Sequence, residues 1–154
     1  MSKIKTYRGL LTDGAQQKIN LKTNTGKIGY RIVKFQIMPD DPNQSTVKHV
    51  VKIFSVPQTT IDDSVDFSDN TLLGASFYNE QPAPGDQAGY GTVVFDNITF
   101  NQDIYVTNVE PSNNQPVNYF IELEQVKLND NESTMATLQS IRSKYESYTP
   151  AGPT

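Results

Sequence analysis

VNYFIELEQVKLNDNESTMATLQSIRSKY, residues 117–145, changes its hydrophobic period partway along. Tyr119, Ile121 and Leu123 recur at every second position, the spacing of a strand with one buried face, whereas Met135, Leu138, Ile141 and Tyr145 recur at three and four, the spacing of a helix. Between them Asn129 stands three residues before Glu132, as in a capping box, so a helix is predicted to start there and run to about Tyr145. Its apolar stripe is narrow, and must lie on its own sheet or on an adjacent molecule.

Upstream, the chain reads as short strands between polar turns. Lys5 to Leu11 and Lys18 to Lys22 flank the turn pair Asp13-Gly14, and Asn24-Thr25-Gly26 supplies another turn. In Gly26 to Met38 the apolar residues fall at Ile28, Tyr30 and Ile32, then change parity to Val33, Phe35 and Ile37. One extra residue near Ile32-Val33 exchanges the faces, which predicts a β-bulge; a strand end buried on both sides is the alternative. Met38 to Asn43, with two prolines, turns the chain. Val47 to Val56 is apolar on both faces and reads as a central strand ended by Pro57. Residues 58 to 71 are polar, and Leu72 to Tyr78 reads as strand. Asn79 to Gly91, rich in proline and glycine, has the composition of an exposed loop and is a candidate for contact with a partner. Thr92 to Phe100, Asp103 to Val109 and Val117 to Leu128 complete about eight strands. The expected fold is therefore all-β: an antiparallel, jelly-roll-like β-sandwich over 1–128, one C-terminal amphipathic helix over 129–148 and a flexible tail over 149–154.

The totals fit one domain of 154 residues and 17.2 kDa. The chain has no cysteine, so disulfides and thiolate chemistry are excluded. A hydrophobic share of 36% is low for a self-sufficient monomer and points to core completed by a neighbouring subunit. Net charge −4 has the wrong sign for sequence-independent nucleic-acid binding. Thirteen Asn and eleven Gln make the polar surface largely uncharged, which suits hydrogen-bonded protein contacts. The first residues lack the apolar run of a signal peptide and no stretch approaches a membrane span, so the expectation is a protein made in a cytoplasm without membrane contact.

The chemistry-bearing residues are few. His49, the sole histidine, sits mid-strand and reads as structural. Asp62, Asp63, Asp66 and Asp69 are the densest acidic run and the weak candidates for a cation. Counted from Asp62, Phe67 and Leu73 occupy the places where an EF-hand needs glycine and glutamate, so they read as a solvated turn. Glu122 and Glu124 share one strand face and read as its wet side rather than as a glycosidase pair. Lys3, Lys5 and Arg8, and Arg142 with Lys144, read as solvated charge. No phosphate loop, nucleophile elbow or dinucleotide fingerprint occurs in the sequence. A non-enzymatic interaction protein without cofactor is expected, with Met135, Leu138, Ile141 and Tyr145 as candidate partner-binding residues.

Ser2-Lys3-Ile4-Lys5-Thr6-Tyr7-Arg8-Gly9, Gly29-Tyr30-Arg31-Ile32-Val33-Lys34-Phe35, the segment Ile61 to Leu73 and Asn118-Tyr119-Phe120-Ile121-Glu122-Leu123-Glu124 together resemble small virion structural proteins of marine tailed bacteriophages. That resemblance implies a capsid accessory or decoration protein located in the virion. It would bind the major capsid protein, as a homo-oligomer, and it brings no catalytic residue. A tail or connector protein, and a carbohydrate-binding jelly-roll module, are the alternative expectations.

Overall fold

A computed structural model of the chain describes residues 3–41, 47–79 and 90–147, with backbone alone at 90 and 141–147. The strands are β1 (Lys3–Leu11), β2 (Gln16–Ile19), β3 (Ile28–Pro39), β4 (Lys48–Phe54), β5 (Leu72–Asn79), β6 (Tyr90–Phe95), β7 (Ile104–Val109) and β8 (Val117–Lys127), followed by helix α1 (Asp130–Ser147). They form two antiparallel sheets, ordered β1-β8-β3 and β2-β7-β4-β5-β6. One core lies between the sheets, with Tyr30, Phe35, Ile121 and Leu123 from the first packed against Val51, Ile53, Ile104 and Val106 from the second. The all-β sandwich with a single C-terminal helix is thus the observed architecture.

Alternation decides which face of β8 is buried. Val117, Tyr119, Ile121 and Leu123 point into the core, while Asn118, Phe120, Glu122 and Glu124 point away from it. The bulge expected in β3 is present: Ile32 faces Leu123 and Lys34 faces Glu122, so Val33 has no opposite number. That extra residue lets Tyr30, Ile32 and Phe35 all reach the core despite their change of parity. Strand β4 is central and covered on both faces. Val51 and Ile53 join the core, and on the other face the ammonium of Lys52 donates to Asp62 Oδ1 at 3.0 Å and to the Ser64 carbonyl at 2.6 Å, holding the 55–71 segment against the strand.

Two strand boundaries differ from expectation. Thr92 to Phe100 is not one strand: β6 ends at Phe95, the Asp96 amide donates to the Leu73 carbonyl, and Phe100 exchanges two hydrogen bonds of 2.8 and 2.9 Å with Tyr30 in the other sheet. Crossing between sheets carries Phe100 into the core, which a straight continuation beside β5 would not do. Strand β2 starts earlier and is shorter than Lys18 to Lys22, because the amides of Leu21 and Lys22 donate to the Asp103 carboxylate, at 2.8 and 2.9 Å, instead of to a ladder.

Helix α1 starts with the expected capping box. The Glu132 amide donates to Asn129 Oδ1 at 2.8 Å, and the Asn129 amide donates to Glu132 Oε1 at 3.1 Å. Within its own subunit the helix docks by a face other than that of Met135 and Leu138. Met135 and Leu138 are 71% and 58% exposed, while Ser133 and Ala136 are buried and Thr137 is half-buried. The helix approaches the tight turn at Gly26, where φ is +67° and bare carbonyls need donors, so small hydroxyl residues fit and long aliphatic ones do not. The Ser133 hydroxyl donates to the Gly26 carbonyl at 2.8 Å, and buried Asn101 donates to the same carbonyl at 2.9 Å and to the Thr137 hydroxyl at 2.8 Å. The side chains of Ile141, Arg142, Lys144 and Tyr145, most of the 79–91 loop and the tail over 149–154 lie outside the described residues.

Candidate functional site

The cross-strand register builds a surface on the outward face of the smaller sheet. Leu10 and Met38 both lie opposite Asn118, one from each flanking strand, and the next row is Arg8, Phe120 and Gln36. Leu10 and Met38 are 55% and 62% exposed. The Lys34 ammonium lies 5.7 Å from the centre of the Phe120 ring, which keeps that aromatic face beside a cation. Further along the same face Arg31 pairs with Glu124 at 2.6 Å. Glu122 and Glu124 therefore stand on the outward face of the sheet, with Glu124 paired to Arg31.

A cleft of about 840 Å³ opens where the two sheets separate, between β3 and β6. Tyr119, Ile37 and Gly9 lie on its floor, and Ser76, Tyr78 and Val93 on its opposite wall. Gly9 makes room there: a Cβ would come within 2.9 Å of the Tyr119 phenolic oxygen, so a larger residue would have to displace the ring that lies over this backbone. Burial raises the pKa of Tyr119, so its phenol stays neutral. The Ser76 hydroxyl is buried and has no hydrogen-bond partner among the described residues. A second hollow of about 230 Å³ lies beside Val94, Phe95 and the exposed Phe67.

His49 is wholly buried in β4, with Nδ1 3.1 Å from Asn108 Oδ1. Burial depresses its pKa, and this outweighs the Asn108 hydrogen bond and the charges of Glu110 and Asp13, which act to raise it. Glu110 is buried as well, and its carboxylate accepts the amides of Lys48, Ser112, Asn113 and Gln115 at 2.5 to 3.2 Å. Burial alone would raise the Glu110 pKa, but these four donors hold it below the ordinary value. It is the pin of the 110–116 turn. Asp103 behaves alike: burial opposes ionisation, and the amides of Lys22 and Leu21 with the Lys18 ammonium overcome it.

The acidic run is spent on local structure. Asp62 accepts from Lys52 and from the Ser64 amide, Asp66 from the Ser68 amide and hydroxyl, and Asp69 from the Thr71 amide and hydroxyl, while Asp63 is exposed. Among the described residues no three His, Asp or Glu side chains meet as a metal-ligand set. Lys3, Lys5 and Arg8 lie along the outer strand β1 rather than in one groove. Of the candidate partner-binding residues, Met135 and Leu138 present a neighbouring apolar pair on the exposed side of α1. Sequence reading missed the Leu10–Met38 row and the exposed apolar edge of β6, since each needs a register or a strand order. No protein-family model matches the chain, and no curated protein matches it in sequence.

Proposed function

We propose that this chain is a non-enzymatic virion structural protein, a capsid accessory or decoration protein that stabilises a phage shell through contacts with the major capsid protein. The observation that carries the reading is the grouping of exposed apolar side chains in three places: Leu10 with Met38 on the smaller sheet, Val93 to Phe95 on strand β6, and Met135 with Leu138 on α1. Single exposed apolar residues are ordinary, but several such groups on one small domain suit a subunit held among several neighbours. Mass action then adds stability to the assembled lattice. The finer description of the fold as jelly-roll-like belongs to this proposal. The pairings β1-β8-β3 and β2-β7-β4-β5 support it, and β6, which pairs with β5, leaves the sheets at three and five strands.

Quantitative mass spectrometry and electron microscopy of purified particles test the proposal. A copy number comparable with that of the major capsid protein, and density on the shell, are expected. A ring of few copies would move the protein to the tail or connector, and its absence from particles would end the virion reading. The cleft favours a second reading, a carbohydrate-binding module, because Tyr78 and Tyr119 line a concavity of ligand size. Calorimetry against a glycan panel decides that reading, and uniformly null titrations would remove it.

A further inference from the structure

Charge is divided unevenly along the chain. From Ile53 to Val126 it carries eleven Asp and Glu and no Lys, Arg or His, so every cation lies before or after that span. Lys52, at its border, is buried and paired with Asp62. Asp63, Asp66, Asp69 and Asp96 make no ion pair among the described residues, and the carboxylates of Asp66 and Asp69 accept only from the neutral groups of Ser68 and Thr71. Their charge is uncompensated. They do not converge as a metal-ligand set among the described residues, so it is spread over a surface. The smaller hollow lies within this span, and its lining includes Phe67, Ala75, Val94, Phe95 and Asp96. Val94 stands opposite Ala75, and Ala75 opposite Lys52, on the sheet face turned away from the core. Phe67 is 72% exposed, more than any other large apolar side chain among the described residues. Two further carboxylates lie close to the lining: Asp66 precedes Phe67 in the chain, and the Asp69 carbonyl accepts from the amide of Leu72, another lining residue, at 3.2 Å. At about 230 Å³ the hollow is below the ~300 Å³ at which small-molecule sites begin, and it suits a side chain of a partner protein.

We propose that this hollow is the docking site for a basic segment of another protein: a bulky apolar side chain enters beside Phe67 and Val94, and Lys or Arg side chains flanking it meet Asp66, Asp69 and Asp96. Charge selects the occupant. A second copy seated across a two-fold axis would bring each carboxylate towards its own image, and an acidic or phosphorylated partner would be repelled in the same way. A basic segment instead supplies the counter-charge that residues 53–126 lack, and the aliphatic stems of its lysines and arginines cover the exposed apolar rim. Phe67 is then the anchor that gives affinity, while the carboxylates steer the encounter and reject wrong partners. The inference rests on the reading of the chain as a protein that works by association and adds the chemistry of one partner, and its test needs no virion.

Titration of the isotope-labelled full chain with three short synthetic peptides, followed by amide chemical shifts, is the test. The first peptide has two leucines between paired lysines, the second replaces the leucines by glycine, and the third replaces the lysines by glutamate. The first should shift the amides of Phe67, Gly74, Ala75 and Phe95 and bind about tenfold more tightly than the second, and the third should not bind. Raising the salt from about 50 to 300 mM should weaken the first peptide about tenfold. Phe67→Ala and Asp96→Asn, both at exposed positions, should each weaken it several-fold, while Leu10→Ala on the other sheet should leave it unchanged. Shift mapping on the unaltered protein keeps the test independent of variant folding. No binding at millimolar peptide, equal binding of the glycine peptide, or shifts that fall elsewhere on the chain would overturn the proposal. So would movement of these same amides with protein concentration alone, which would make a second copy the occupant. Whichever result is obtained, the copy number in particles decides the virion assignment separately.

Discussion

Asn108 fixes the tautomer of His49. Its side-chain nitrogen donates to the Leu11 carbonyl at 3.0 Å, so its oxygen faces His49 Nδ1 at 3.1 Å and that nitrogen carries the proton. The other ring nitrogen, Nε2, is buried and has no hydrogen-bond partner among the described residues. A proton added there would place a charged donor in the core with nothing to receive it. The folded pKa of His49 is lowered, first by burial, so the unfolded chain binds the extra proton more readily. Stability is then complete above the unfolded value of about 6.5 and falls as the pH drops through the depressed folded value. Chemical denaturation from pH 7.5 down to pH 5 should show this decline, and His49→Gln should flatten it. An equal slope in the variant would assign the effect to other groups.

Glu110 gives the opposite kind of buried ionisable group, one whose charge is wanted. Its four amide donors come from Lys48 and from the turn that follows it, and the Glu110 amide itself donates to Asp13 Oδ1 at 2.7 Å. Glu110→Gln keeps the shape but turns an NH₂ group towards amide donors, and should cost about 2–3 kcal/mol. Because the folded pKa is depressed, the contribution of this carboxylate is present above its unfolded value and is lost as the pH falls through the folded one. Urea denaturation at neutral pH and at about pH 3 checks both statements. The gap between unaltered protein and variant should narrow in acid.

Asn101 ties the terminal helix to the sandwich from inside a loop. Asn101→Ala leaves the Gly26 carbonyl held by Ser133 but removes the donor to Thr137, so a loss of about 1–3 kcal/mol is expected. Asn101→Asp should cost more, since it sets a carboxylate against the Gly26 carbonyl 2.9 Å away. Hydrogen exchange distinguishes undocking from global unfolding. The amides of α1 should exchange faster in both variants, while those of Ile121 and Leu123 keep their relative protection.

What could be read from the chain was what depends on neighbours in sequence. Alternation in β8, the parity change at Val33 and the three-residue spacing of Asn129 and Glu132 are local signals, and each produced the expected feature. Asn101 and Gly26 lie 75 positions apart, and Lys48 and Glu110 lie 62 apart, so no window of sequence reveals either bond. Helical spacing grouped Met135 with Leu138 but did not say which way that group would turn. Direction was set by the bare carbonyls at Gly26, which drew Ser133 inward and left the aliphatic pair outside. The candidate surfaces were illegible for the same reason. Leu10 and Met38 become neighbours only through their shared register with Asn118.

Met135 and Leu138 therefore separate stability from assembly. Both are more than half exposed, so Met135→Lys and Leu138→Lys remove little buried apolar area and should shift folding stability by less than about 0.5 kcal/mol. If this side of α1 meets a neighbouring virion subunit, a lysine at its centre must be desolvated there, and incorporation into particles should drop by about tenfold or more. Thermal denaturation of the purified chain reads the first effect, and a competition assembly with tagged unaltered protein reads the second. Equal incorporation at equal stability would confine the contact surfaces to the sheet face and the β6 edge. A large loss of stability would instead show that the pair packs within its own subunit, contrary to the exposure of both side chains.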